Sequence, residues 1–386
     1  MMNQQNQKPK VAIIGLKGLP AFGGSARAGE NMMRFLKDHY DFTVFNTSTH
    51  TKRKTGVYDG IKQVVFKQFF IKSMNTFWYY LCSLFYCLVK KYDVVHVFHV
   101  DAAFIIPILR IRNRVIAGHR ARPQLADKWN PLVKKYFTFM EWLFFHWPAD
   151  VLTSVSRPVV EEFQPHTKRK ICYVPNGIIM PDMDALPHID ESSYVLFASG
   201  RIIKLKGCHV LLEALKKMKY RGRVIIIGNR THNLAYTGEI EKLAEGLNVK
   251  FMDLITDKNL LMAYLKNAKV FVFPSFHEGM SNMLLEAGSM KVPIICSDIP
   301  ENQQVFDSDE VIFFEKGNSL DLANKLEWVF NNPEEAARYA DRAFDRLMRD
   351  YNWENLSLVY HELYQWLINK KRPLNNDDTL SEAFLK

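Results

Sequence analysis

A chain of 386 residues that is 48% hydrophobic and 24% charged is too apolar for a disordered protein and long enough for about two domains. Its net charge of +10 and isoelectric point of ≈ 9.2 favour an anionic partner: a phosphate-bearing ligand, an acidic lipid surface or nucleic acid. Five scattered cysteines without a CxxC pair argue against a disulfide framework or a zinc site and for a reducing compartment.

The polar start, MMNQQNQKPK, runs straight into VAIIGL (11–16), so no signal peptide is expected. VAIIGL, FTVFN (42–46), VVHVF (94–98) and RVIAG (114–118) read as buried strands, with helices between them. YVPNGIIMPDMDALPHIDESS (173–193) breaks the alternation and reads as a linker. YVLFASG (194–200), RVIIIG (223–228), VKFMD (249–253), KVFVFP (269–274) and VPIICS (292–297) then restart it. This βαβ order predicts an α/β protein with two doubly wound parallel domains. Ligands of such sheets bind beyond the carboxyl ends of the strands, so two facing domains are expected to form a cleft. From Leu320 to about Lys370 the chain reads as amphipathic helix, and PLNNDDTLSEAFLK as a frayed tail. No run of about 20 apolar residues exists to span a bilayer.

Four strand-to-helix junctions carry the chemistry. In KVFVFPSFHEGMSNMLLEAGSM (269–290), Ser281 stands where a helix N-cap belongs. The free N–H groups of that helix form a ready phosphate site, and Gly279 permits close backbone approach. Glu278 and Glu286 bracket the turn, spaced to hold hydroxyls at the two ends of a sugar–diphosphate–ribose molecule; a capping charge and a solvated helix glutamate are the plain alternative. SGRIIKLKGCHVLLEAL (199–215) offers Arg201 and Lys206, with Lys204 less certain, to neutralise a departing diphosphate. The first loop, GLKGLPAFGGSARAGENM (15–32), is not GxGxxG, which disfavours a redox dinucleotide domain. Gly23 and Gly24 still bring amides to phosphate ahead of a helix. IAGHRARPQLADKW (116–129) puts His119 at a strand end, with Arg120, Arg122, Asp127 and Trp129 placed to shape an acceptor pocket.

These stretches resemble a known family. EGMSNMLLE is similar to the glutamate–seven residues–glutamate motif of retaining glycosyltransferases with the GT-B fold, glycosyltransferase family 4. GRIIKLKG resembles that family's GR…KG loop, PAFGG its N-terminal glycine loop, and VPNGI its interdomain segment. The resemblance implies two Rossmann-like domains facing across a cleft, with a C-terminal helix crossing back. On it the chain divides into an acceptor-binding domain (1–178, with 352–372 packed back on it), a nucleotide-sugar domain (179–351) and a flexible tail (373–386).

It also implies roles. Arg201 and Lys206 bind the donor diphosphate, and Glu286 holds the ribose. Glu278, with the backbone of Gly279, Met280 and Ser281, holds the sugar. Gly23 and Gly24 approach the phosphates, His119 touches the sugar, and the base lies near Gly228 and the loop 253–257. Arg120 departs from the family, which often has a small or acidic residue there. Transfer is expected to retain the anomeric configuration by front-face displacement, since neither glutamate is free to act as nucleophile. No cofactor and no metal is required, and no nucleic-acid module is recognisable.

FKQFFIKSMNTFWYYLCSLFYCLVKKYD (66–93) and KKYFTFMEWLFFHWPAD (134–150) are aromatic stretches flanked by lysines. They read as helices packed on the sheet, as helices docked on an anionic cytoplasmic leaflet, or as both at once. A saccharide or lipid-linked acceptor suits the second reading. The competing functions are a nucleotide-sugar epimerase on the same fold and a catalytically silent binding subunit of a transferase complex.

Overall fold

The computed structural model describes residues 7–16, 18–20, 24–125, 129–191, 193–370 and 372–378. They fall into two compact units: Met1–Asn176 with Trp353–Lys386, and Gly177–Asn352.

Unit 1 runs β1 (Lys10–Ile14), α1 (Gly24–Leu36), β2 (Asp41–Thr47), β3 (Gly56–Tyr58), β4 (Ile61–Phe66), α2 (Asn75–Val89), β5 (Val94–Val97), α3 (Ile106–Leu109), β6 (Arg114–His119), α4 (Pro131–His146), β7 (Val151–Ser154), α5 (Arg157–Phe163) and β8 (Ile171–Tyr173). The strand order is β3-β4-β2-β1-β5-β6-β7-β8; every pair is parallel except β3 with β4. Parallel strands survive only when both faces are covered, which is why β1 and β5 are apolar along nearly their whole length. On one face, α2, α3, α4 and α5 share a buried cluster with Ala12, Val95, Val97 and Leu152. The other face is capped by α1 and by a helix arriving from the far end of the chain.

Unit 2 runs β9 (Tyr194–Arg201), α6 (Cys208–Lys217), β10 (Arg223–Asn229), α7 (Leu234–Ala244), β11 (Asn248–Met252), α8 (Lys258–Asn267), β12 (Ala268–Phe273), α9 (Asn282–Ser289), β13 (Ile294–Ser297), α10 (Pro300–Gln303), β14 (Ile312–Phe314), α11 (Ser319–Asn331) and α12 (Pro333–Asp350). Its strands lie in the order β11-β10-β9-β12-β13-β14, all parallel. The order reverses between β9 and β12, the switch point of a doubly wound sheet, where successive crossovers leave to opposite faces and open a crevice.

The last helix, α13 (Trp353–Lys370), belongs to unit 1. It packs on α1, and Tyr364 OH lies 2.8 Å from His96 Nδ1 on β5. After it, the expectation of a tail flexible from residue 373 needs correction. Leu374 is fully buried, its N–H bonds Asp150 O at 2.8 Å and its carbonyl accepts from Lys170 N at 3.1 Å. Arg372 pairs with Asp378 at 2.5 Å, closing a turn that offers Leu374 to the sheet edge.

Candidate functional site

The site in unit 2 is built by two loops at the switch point. Between Ile227–Ala198 and Asn229–Arg201 the ladder shifts register, so β9 carries an extra residue there. Such a bulge turns the strand end outward, and Gly200 and Arg201 are exposed. Gly228 accommodates the bulge, because a Cβ on it would lie 2.3 Å from Ser199 O. The chain then makes a single 3-10 turn, Lys204–Lys206, and Gly207 opens α6 with φ +71°.

The second loop follows β12 and is joined directly to the first. Phe276 N donates to Leu205 O at 2.8 Å, and the Gly207 backbone passes so near Pro274 that a Cβ would sit 1.9 Å from its carbonyl oxygen. This contact brings Lys206 Nζ to 2.5 Å from Glu278 Oε1, an oxygen that also accepts from Ser275 Oγ at 2.7 Å. Ser275 O in turn accepts from Ser297 Oγ at 2.5 Å, and Asn302 Nδ2 donates to Ser297 O at 2.9 Å. Gln304 Nε2 reaches Gly279 O at 3.3 Å. Met280 and Glu286 are buried. Ser281 occupies the N-cap of α9, but its side chain makes no capping hydrogen bond.

The structure thus brings Lys206, Glu278 and the Gly279–Ser281 backbone together at the strand ends, with Arg201 on the adjoining strand β9 and Gly228 behind it. A lysine and a carboxylate meet just ahead of the start of α9, and an exposed arginine ends the neighbouring strand. Such a set binds an anion flanked by hydroxyls.

Unit 1 holds the remaining candidates. His119 closes β6 and is only 1% exposed. Its Nε2 lies 2.8 Å from Glu141 Oε1 on α4, while its Nδ1 is buried without a hydrogen-bond partner. Glu141 also accepts from Arg122 Nε at 3.1 Å and Gln124 Nε2 at 2.8 Å. Burial opposes ionisation of this carboxyl, but the hydrogen bond and charge of His119 and the Arg122 guanidinium outweigh it and hold its pKa below the usual value.

Arg122 spends its other end on Glu162, at 2.6 Å. Arg120 requires a correction: it is 6% exposed, donates to Tyr360 OH and to Asn176 Oδ1, and lies 4.9 Å from the Phe98 ring centroid. Its guanidinium ties α13 to β6 and is not part of an acceptor pocket. Trp129 packs on Phe137, with centroids 5.5 Å apart. Gly24 is the first residue of α1, whereas Gly23 and Asp127 lie outside the described residues.

Residues 182–346, nearly the whole of unit 2, match the family of glycosyl transferases group 1. Unit 2 is a group 1 glycosyltransferase domain. The capsular polysaccharide biosynthesis glycosyltransferase CapM of Staphylococcus aureus is 26% identical over 180 residues, which is 44% of this chain and 47% of CapM. The chain therefore aligns with about half the length of that relative. Among solved structures, sucrose-phosphate synthase of Thermosynechococcus elongatus superposes with a TM-score of 0.78 at 18% identity, covering 94% of this chain and 100% of that one. HepE of Anabaena, solved in complex with UDP-glucose, gives 0.72 at 14%, covering 92% and 99%. These likenesses show the GT-B fold over 92–94% of the chain.

Within the group 1 glycosyltransferase domain, sequence reasoning passed over Ser275, Ser297, Asn302 and Gln304, which hold the Glu278 loop from below. Single polar residues in loops and strand ends leave no periodic signal. Glu141 in unit 1 is also absent from the sequence-based candidates, although a signal for it exists: it is the only acid in KKYFTFMEWLFFH and falls on the helix's inner face.

Proposed function

We propose that the protein is a retaining glycosyltransferase that moves a hexosyl unit from a nucleotide-diphosphate sugar to a saccharide or lipid-linked acceptor. Its work belongs to cell-surface polysaccharide or glycolipid synthesis at the cytoplasmic face of a membrane. The observation that carries the reading is the Lys206–Glu278 pair, 2.5 Å apart at the switch point of a group 1 domain, beside exposed Arg201. The names of CapM, a capsular polysaccharide enzyme, and of the HepE complex with UDP-glucose support the pathway and the donor class.

In this reading the donor diphosphate takes Lys206 from Glu278, leaving that carboxylate to accept from sugar hydroxyls. Arg201 completes the charge on the phosphates, the amides of Gly279–Ser281 approach them, and Glu286 binds the ribose. The bond from the anomeric carbon to the diphosphate oxygen breaks as the acceptor oxygen arrives on the same face. The acceptor's proton passes to the departing phosphate oxygen. The two cations lower the barrier by stabilising charge that grows only in the transition state. In this reading no metal takes part.

The test is a screen of UDP-, GDP- and dTDP-sugars for nucleotide release with membrane-extracted acceptors, followed by NMR of the product's anomeric configuration. Retention is expected, as is a loss on the order of 10³-fold or more in kcat for Arg201→Ala with Lys206→Ala. Inversion, or near-wild-type turnover by the double variant, would refute the mechanism. Donor consumption without any acceptor would point to an epimerase.

A further inference from the structure

We infer that the outer face of α2 and α4 docks on an anionic lipid bilayer; the proposed lipid-linked acceptor gives this docking its purpose, and the geometry of unit 1 gives it its substance. The two helices lie on one face of the sheet. Tyr79 and Cys87 of α2 share a buried cluster with Met140 and Phe144 of α4, and the segment Val100–Ile105 packs between them, with Phe104 stacked on Phe77 at 5.2 Å.

A helix with one side buried normally turns polar residues to water. These do not. On α4 the exposed residues include Leu132, Tyr136, Phe139 and Trp142, a single stripe at helical spacing. On α2 they include Trp78, Phe85 and Val89, with Phe85 70% exposed. Phe70, 84% exposed, lies tilted against Phe69 with ring centroids 4.2 Å apart, and Phe69 lies 5.1 Å from Trp78. Scattered exposed apolar residues are ordinary, but contiguous aromatic rows on two adjacent helices mark a binding surface.

Charge selects the partner. α2 contains no acidic residue, and the single acid of α4, Glu141, is buried. Asp101, between the helices, is half-buried and accepts from Tyr80 OH at 2.8 Å. Around the apolar rows stand exposed Lys67, Lys72, Lys90 and Lys135. A two-fold contact with a second copy would set lysines against lysines, whereas anionic headgroups meet lysines while aromatic rings enter the interface. At 15 and 16 residues neither helix is long enough to span, and both fit the plane of the interface.

The test is co-sedimentation of the full chain with phosphatidylcholine vesicles, with and without phosphatidylglycerol. Binding is expected to need phosphatidylglycerol and to fall with salt. Lys67→Glu/Lys72→Glu/Lys135→Glu is expected to lose about 10²-fold or more in partitioning, and Phe139→Ser/Trp142→Ser to lose binding with an unchanged circular dichroism spectrum. No wild-type binding, or equal binding by the lysine variant, overturns the inference. Self-association that the aromatic variant abolishes would assign the face to a second copy and overturn it too. Vesicle binding by a protein that turns over no nucleotide sugar would sink the proposed reaction and leave the docking face standing.

Discussion

Gly207 is the residue on which the unit 2 site turns. It combines a left-handed backbone with a contact that leaves no room for a side chain. Gly207→Ala is expected to cost more than about 2 kcal/mol and to part the loop carrying Lys206 from the loop carrying Glu278. Gly246 is the control: its φ is +83°, but nothing stands within 4 Å of an added Cβ, so Gly246→Ala should cost only about 1 kcal/mol. Urea midpoints separate the two, and equal losses would show that crowding at Pro274 does not matter. The cysteines behave as packing residues. Cys87, Cys172, Cys208 and Cys296 are buried, with burial pushing each thiol up and Cys172 to about 12. A thiol reagent should reach only Cys82 in the native protein and all five in urea; rapid native labelling of more than one would contradict this packing.

At the scale of elements, the join between β5 and α13 makes stability depend on pH. His96 is fully buried, and burial, reinforced by the Arg120 charge, drives its pKa well below the ordinary value. The unfolded chain takes up this proton near pH 6.5 while the folded chain does not. The contribution is complete above that pH and is lost as pH falls below it toward the lower folded value. Glu141 acts in a lower window: its depressed pKa stabilises the fold above about pH 4.3 and is lost on further acidification. Urea midpoints should therefore fall between pH 7 and pH 5, and the slope in that range should flatten in His96→Asn. An unchanged slope in the variant would remove His96 as its source.

Element by element, the long buried strands were legible because a parallel strand is apolar on both faces. The antiparallel pair β3–β4 lies outside the strands expected from the sequence, although Asp59 and Gly60, both at positive φ, form the two-residue turn that most strongly marks a hairpin. β8 and β14 have only three residues each, too few for periodicity to register.

At the scale of the whole molecule, donor binding and the chain's end can both be weighed. A nucleotide sugar at about a hundred times its dissociation constant should add about 2.7 kcal/mol to stability, read as a rise in Tm that Glu286→Ala diminishes. Truncation after Lys370 removes buried Leu374 and its two backbone hydrogen bonds; a loss of about 2–4 kcal/mol is expected. An unaltered Tm would mean that the segment 372–378 does not anchor the edge of the unit 1 sheet.

The sequence by itself determined the two doubly wound domains, the junctions that carry the candidate site residues and the family of unit 2. Strand periodicity, glycines before helices and charged loop residues are local properties that chain order preserves. Tertiary structure alone decided that Lys206 meets Glu278, that Arg120 is a tie to α13, and that residues 372–378 are packed. Those outcomes depend on which distant segments come into contact, as when residue 120 meets residue 360, and no local pattern encodes such a meeting.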